Sequence, residues 1–162
     1  MIQRVQSLFL LVAAVCFGLA CFMPISTLIA AEMSYIYTPW VLKQDILNGF
    51  NIRETYYVGL LLMILAVISF VAIFFYKDRP LQSKICTAAV ILNFILLVLM
   101  LWVYPDRIFS NLPQVASAEI QYYGKGQFPW VLLSFIALVC LHLANKFIMR
   151  DEKKVRAADR LR

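Results

Sequence analysis

Apolar residues fall in four long blocks, residues 7–31, 56–76, 85–104 and 128–149, separated by polar and charged stretches. Each block reaches the ~20 residues that a helix rising about 1.5 Å per residue needs to cross a hydrocarbon core about 30 Å thick. The first three contain no Asp, Glu, Lys or Arg, and the fourth only Lys146, close to its end. None shows the strict alternation of outward apolar and inward polar residues that a barrel strand requires, so all four are predicted to be helices. The expected fold is an all-α membrane protein, a four-transmembrane-helix antiparallel bundle with two ordered outer loops. With no Gly/Ser- or Pro-rich linker between the blocks, residues 1–162 read as one domain, with a cytoplasmic helical tail over 150–162.

The first block also resembles a signal peptide, since Arg4 precedes an apolar run that contains Cys21 and ends in Ala30-Ala31. A signal core spans only about 7–15 residues, and this run is longer, so a retained span is the expectation. Pro24 lies inside it and should kink the helix, because the ring removes a donor and clashes with the carbonyl of Ala20. The two outer loops, residues 32–55 and 105–127, are too long for simple turns and rich in aromatics. Val41 to Leu47, ahead of Gly49, is expected as a short helix, and Glu119 to Phe128 as a hairpin around Gly124 and Gly126.

Composition agrees with lipid as the solvent: 63% of the residues are hydrophobic and 15% charged, against about 45–50% and about 25% in soluble domains. The net charge of +6 raises the question of nucleic acid, and the positions of the cations answer it. Eleven Lys and Arg residues fall at the N-terminus, in the 77–84 connection and from 146 onward, against four in the two outer loops. That bias places the N-terminus, the 77–84 connection and the C-terminal tail of a multi-pass protein in the cytoplasm. Trp40, Tyr56, Tyr57, Trp102, Tyr104 and Trp130 flank the outer ends and Tyr76 an inner one, as interfacial aromatics do. The charge serves topology, and no nucleic acid is expected as a partner.

Chemistry is sparse. Cys16, Cys21, Cys86 and Cys140 lie in or beside apolar blocks, and the outer loops hold no cysteine, so the thiols are expected as packing groups without disulfides. The lone histidine, His142, has no carboxylate or second ligand in the spans, which argues against acid/base or metal work. His142 and Asn145 are expected to face the bundle. Asn93, near Thr87, Ala88 and Ala89, is expected to bond across to another helix. No phosphate loop, nucleophile elbow or zinc spacing occurs. Neither an enzymatic activity nor a cofactor is expected.

The tail RDEKKVRAADRLR has no helix breaker, Glu152 and Arg156 stand at i and i+4, and Val155, Ala158 and Leu161 make a narrow apolar stripe. It should extend the fourth helix beyond the bilayer. Arg4, Lys77, Arg79, Lys84, Lys153, Arg156, Arg160 and Arg162 form the candidate surface for contact with a partner or anionic lipid.

The start MIQRVQS, the stretch PLQSKIC and above all the end LANKFIMRDEKKVRAADRLR resemble a family of small four-helix membrane proteins from Bacteroidetes, the domain of unknown function 4293. The resemblance implies an inner-membrane location and carries no activity, substrate or site. The reading that results is a non-enzymatic accessory or scaffold subunit in the lipid bilayer, with a membrane protein partner or as a homo-oligomer. The alternative is a small transporter or channel component.

Overall fold

The computed structural model describes residues 2–30, 33–44, 51–54, 56–103 and 127–160. Among these, the chain forms four α-helices and one sheet: α1 (Ile2–Ala20), β1 (Ser26–Ala30), β2 (Met33–Tyr37), β3 (Val41–Gln44), β4 (Asn51–Glu54), α2 (Tyr56–Ala72), α3 (Arg79–Val98) and α4 (Gln127–Arg160). A 3-10 turn, Phe74–Lys77, links α2 to α3, and α3 ends in a π-helical turn, Leu99–Val103. Two helical stretches, Arg79–Leu101 and Trp130–Val155, are long and apolar enough to cross a membrane, while Val5–Ala20 and Tyr56–Ala72 are shorter apolar helices.

The helices are apolar nearly all round, yet each buries one narrow stripe. In α1 it is Gln6, Leu10, Ala13, Phe17 and Ala20, and in α2 Val58, Leu62, Leu65, Ser69 and Ala72. In α3 it is Gln82, Cys86, Ala89, Asn93 and Leu96, continued by Met100 in the π turn. α4 buries Trp130, Ser134, Ala137, Leu141, Ala144, Ile148 and Asp151. All four stripes advance in alternating steps of four and three, the spacing of a supercoiled seam. Small and polar residues are concentrated on these seams, while Leu8, Val15, Leu60, Val67, Ile91, Phe94 and Phe135 are exposed. Small seam residues let helix backbones approach closely.

α1 packs against α2 and α4, and α3 against α4 and α2, so helices adjacent in sequence are adjacent in space and α4 closes the ring on α1. Cross-helix partners fix the direction. Phe9 stacks on Phe147, and Gln6 meets Asp151, while Ser83 meets Asn145 and Asn93 meets the carbonyl of Ser134. In both sets one number falls as the other rises, so α4 is antiparallel to α1 and to α3.

The expectation of an all-α chain is corrected by the sheet, an antiparallel meander in the order β1-β2-β3-β4. β1 pairs with β2 from Ser26 opposite Tyr37 to Ala30 opposite Met33, and an irregularity between Leu42 and Lys43 offsets β3 from β4. The expected span 7–31 therefore ends early: α1 stops at Ala20, and Ser26–Ala30 is a strand. Pro24 separates helix from strand instead of kinking a continuous helix. The β-branched Ile25, Thr27 and Ile29 suit the extended backbone that follows it. The helix expected at Val41 to Leu47 is replaced over Val41–Gln44 by β3, whereas the hairpin expected at Glu119 to Phe128 lies almost wholly outside the described residues.

The sheet is tied to the bundle by the turn between β2 and β3, where the Thr38 amide donates to the carbonyl of Val41 at 3.0 Å. Trp40 donates its indole N–H to the carbonyl of Cys21 at 2.8 Å, and the Gly59 amide donates to the carbonyl of Pro39 at 2.9 Å. Tyr37 places its hydroxyl 3.8 Å from Sδ of Met100. One turn thus joins the end of α1, the start of α2 and the end of α3. At the other end α3 starts earlier than the expected residue 85, at Arg79, with Pro80 in a first turn that has no need of its N–H. There Gln82 caps the last turn of α2, donating Nε2–H to the carbonyl of Ala72 at 2.9 Å.

Candidate functional site

Two groups of polar side chains stand out in the apolar bundle. The first lies on the seam between α3 and α4. Asn145 donates Nδ2–H to the hydroxyl of Thr87 at 2.9 Å and accepts from the hydroxyl of Ser83 at 2.6 Å. Two turns further along α3, Asn93 is fully buried and donates to the carbonyl of Ser134 at 3.1 Å. Among the described residues, buried Oδ1 of Asn93, Nε1 of Trp130 and Oγ of Ser134 have no hydrogen-bond partner. A polar atom left unmatched away from water costs about 1–3 kcal/mol, so this stretch of seam is paid for elsewhere in the fold.

His142 does not join the group. It is exposed on the outer face of α4, which corrects the expectation that it faces the bundle. The cause is its place in the repeat: Leu141 and Ala144 lie on the seam, and a residue directly after Leu141 is turned ~100° away from it. Asn145 lies ~60° nearer the middle of the seam than His142, on the flank that meets α3.

The second group is at the end of the bundle away from the sheet. Gln6, near the start of α1, donates Nε2–H to a carboxylate oxygen of Asp151 at 2.5 Å, and both side chains are buried. The guanidinium of Arg79, half-buried at the start of α3, reaches the carbonyl of Asp151 at 3.5 Å. Two helices, α1 and α3, therefore converge on one residue of α4.

Of the candidate basic residues, Arg79 contacts that point, Lys84 and Lys153 are exposed, and Lys77 ends the turn that precedes α3. Arg4 lies in the first turn of α1, and Arg156 and Arg160 lie in the last turns of α4, which runs unbroken through residues 150–160. Arg162 is outside the described residues. Neither Gln6 nor Asp151 stands out in the sequence alone, where Asp151 reads as part of a solvated tail. The signal that finds it is the seam itself, because a step of three beyond Ile148 lands on Asp151.

The four cysteines are free and buried. Among the described residues, no three of His, Cys, Asp or Glu come together in an arrangement that could hold a metal ion.

The family described as "Domain of unknown function (DUF4293)" matches residues 2–161, nearly the full chain. The chain belongs to this family. The DUF4293 match spans all four helices, the sheet and the basic end alike, so it treats them as one unit. No curated protein matches the chain.

Proposed function

We propose that this chain is a four-span protein of the bacterial cytoplasmic membrane, with both ends of the chain cytoplasmic. It works without catalysis, as an accessory or scaffold subunit that meets a partner through its basic end. The observation that carries the reading is the reach of α4: its 34 residues span ~51 Å, where about 30 Å of hydrocarbon needs to be crossed. The surplus is helical, rich in cations and begins at the buried Asp151 clamp, so the extension has a fixed starting direction. Exposed Lys153 and Val155 lie on it. The exposed Leu, Ile, Val and Phe residues around the helices, with small and polar residues inside, support lipid as the surrounding medium.

Reporter fusions at residues 50 and 115 are expected to read as lying on the far side of the membrane from the cytoplasm. A cytoplasmic signal at either position overturns the topology. The partner surface is tested by truncation after Lys154, which removes the distal extension and keeps Asp151 in its clamp. The shortened protein should insert normally, because Arg4, Lys77, Arg79, Lys84, Lys146 and Arg150 keep the positive-inside bias, and should lose its native membrane partners in cross-linking and co-purification. Recovery of the same partners by the truncated chain refutes the role given to the extension.

A second reading, a small transporter or channel component, draws on the unpartnered Asn93, Trp130 and Ser134 atoms. A polar path through the bundle would have to pass along that seam.

A further inference from the structure

A crevice of about 230 Å³ opens beside the clamp, lined by Val5, Phe147, Arg150, Asp151 and Lys154. We propose that it binds the headgroup of an anionic phospholipid, with Arg150 and Lys154 on the phosphate and the acyl chains leaving across Val5 and Phe147. The inference rests on the membrane reading given above and adds a ligand to it.

The lining is divided by chemistry. Arg150 and Lys154 stand one turn apart on one face of α4, ~6 Å along the axis. Neither has an ion-pair partner among the described residues. The acid in the lining, Asp151, keeps its charge but is turned to the amide of Gln6, so the lining carries two cations against one carboxylate. The apolar wall is held in place, since Phe147 stacks on Phe9 of α1 with centroids 5.8 Å apart and ring planes within 7°. A free phosphate has no use for such a wall, whereas a lipid does.

Depth and size agree with this occupant. Arg150 lies twenty residues beyond Trp130, ~30 Å along the helix, so with Trp130 at one edge of the hydrocarbon Arg150 is at the headgroups of the other. The crevice is smaller than the roughly 300–1,000 Å³ of clefts that enclose a drug-sized ligand. It admits a phosphodiester headgroup and leaves the chains outside, where exposed Val5 and Leu8 continue the apolar surface of α1. Basic pockets between helices at a cytoplasmic membrane face recognise anionic headgroups in this way.

The test uses the full chain in a mild non-ionic detergent, with bound lipid counted by native mass spectrometry after addition of phosphatidylglycerol or phosphatidylcholine. The unmodified protein should retain one phosphatidylglycerol in preference to phosphatidylcholine. Arg150→Ala with Lys154→Ala should weaken that binding roughly thirtyfold, about fivefold for each cation. Equal retention of the two lipids overturns the proposal, as does undiminished phosphatidylglycerol binding by the double variant. Displacement by soluble glycerol phosphate also overturns it, assigning the crevice to a free phosphate ester. Truncation after Lys154 keeps all five lining residues, so it separates loss of a partner from loss of the lipid.

Discussion

Gly59→Ala lowers the thermal midpoint of the detergent-solubilised protein by an amount equivalent to about 1–3 kcal/mol, the usual cost of an extra methyl group in a filled site. A Cβ at residue 59 would lie 2.6–2.7 Å from Cδ2, Cε2 and Cε3 of Trp40, well inside van der Waals contact. The indole cannot easily swing away, because its N–H is held on the carbonyl of Cys21, and residue 59 cannot retreat without releasing the carbonyl of Pro39. The damage therefore falls on the joint between sheet and bundle. A Trp40→Ala background makes room for the methyl group, so Gly59→Ala should cost much less there. Equal losses with and without Trp40 would show that the clash is not the cause.

Gln6→Leu removes the side chain that satisfies a buried carboxylate and should destabilise the protein by about 3 kcal/mol, the scale for a buried charge that loses its partner. Leu fills a similar volume, so the loss reads the missing hydrogen bond more than a cavity. Pairing it with Asp151→Leu removes the orphaned charge along with its partner and should restore most of the stability, since replacing both members of a buried polar pair is often nearly neutral. Unfolding in a titration from mild detergent into sodium dodecyl sulfate measures both variants. If the double variant is as unstable as Gln6→Leu alone, Asp151 is held by something other than Gln6.

The four helices were legible because their apolar blocks are long and end in charge or Pro. The sheet was not. Ser26–Ala30 is as apolar as the helix before it, and a short run rich in β-branched residues reads equally well as the end of a helix or as a strand. Only the consequence of Pro24 separates the two, and in this chain the ring terminates α1 instead of bending it. Val41 and Leu42 pose the same ambiguity in the first outer loop, where strand pairing with Tyr37 and Glu54 decides it.

The polar contacts were legible in part. Asn93 and Asn145 stand out in apolar surroundings, and both bond across to a neighbouring element. His142 was misplaced because a helix that is apolar all round gives no strong moment from which to fix its inward face. The four-three spacing of small and polar residues carries that information, and it runs from Trp130 through Asp151 without a break. Followed one step past the apolar block, it would have drawn Asp151 out of the tail and pointed to a partner on α1.

Between Trp130 and Arg160, α4 contains neither proline nor glycine, the commonest causes of a sharp bend. It is held to α1 at Asp151 and to α3 at Asn145 and Ser134, and its far end runs free of those fastenings. In mechanical terms it is a beam clamped along one part. A sideways load applied near Lys153 meets no proline or glycine hinge in which to dissipate. It arrives as torque on the α1–α4 and α3–α4 seams, with the Asp151 clamp as the fulcrum.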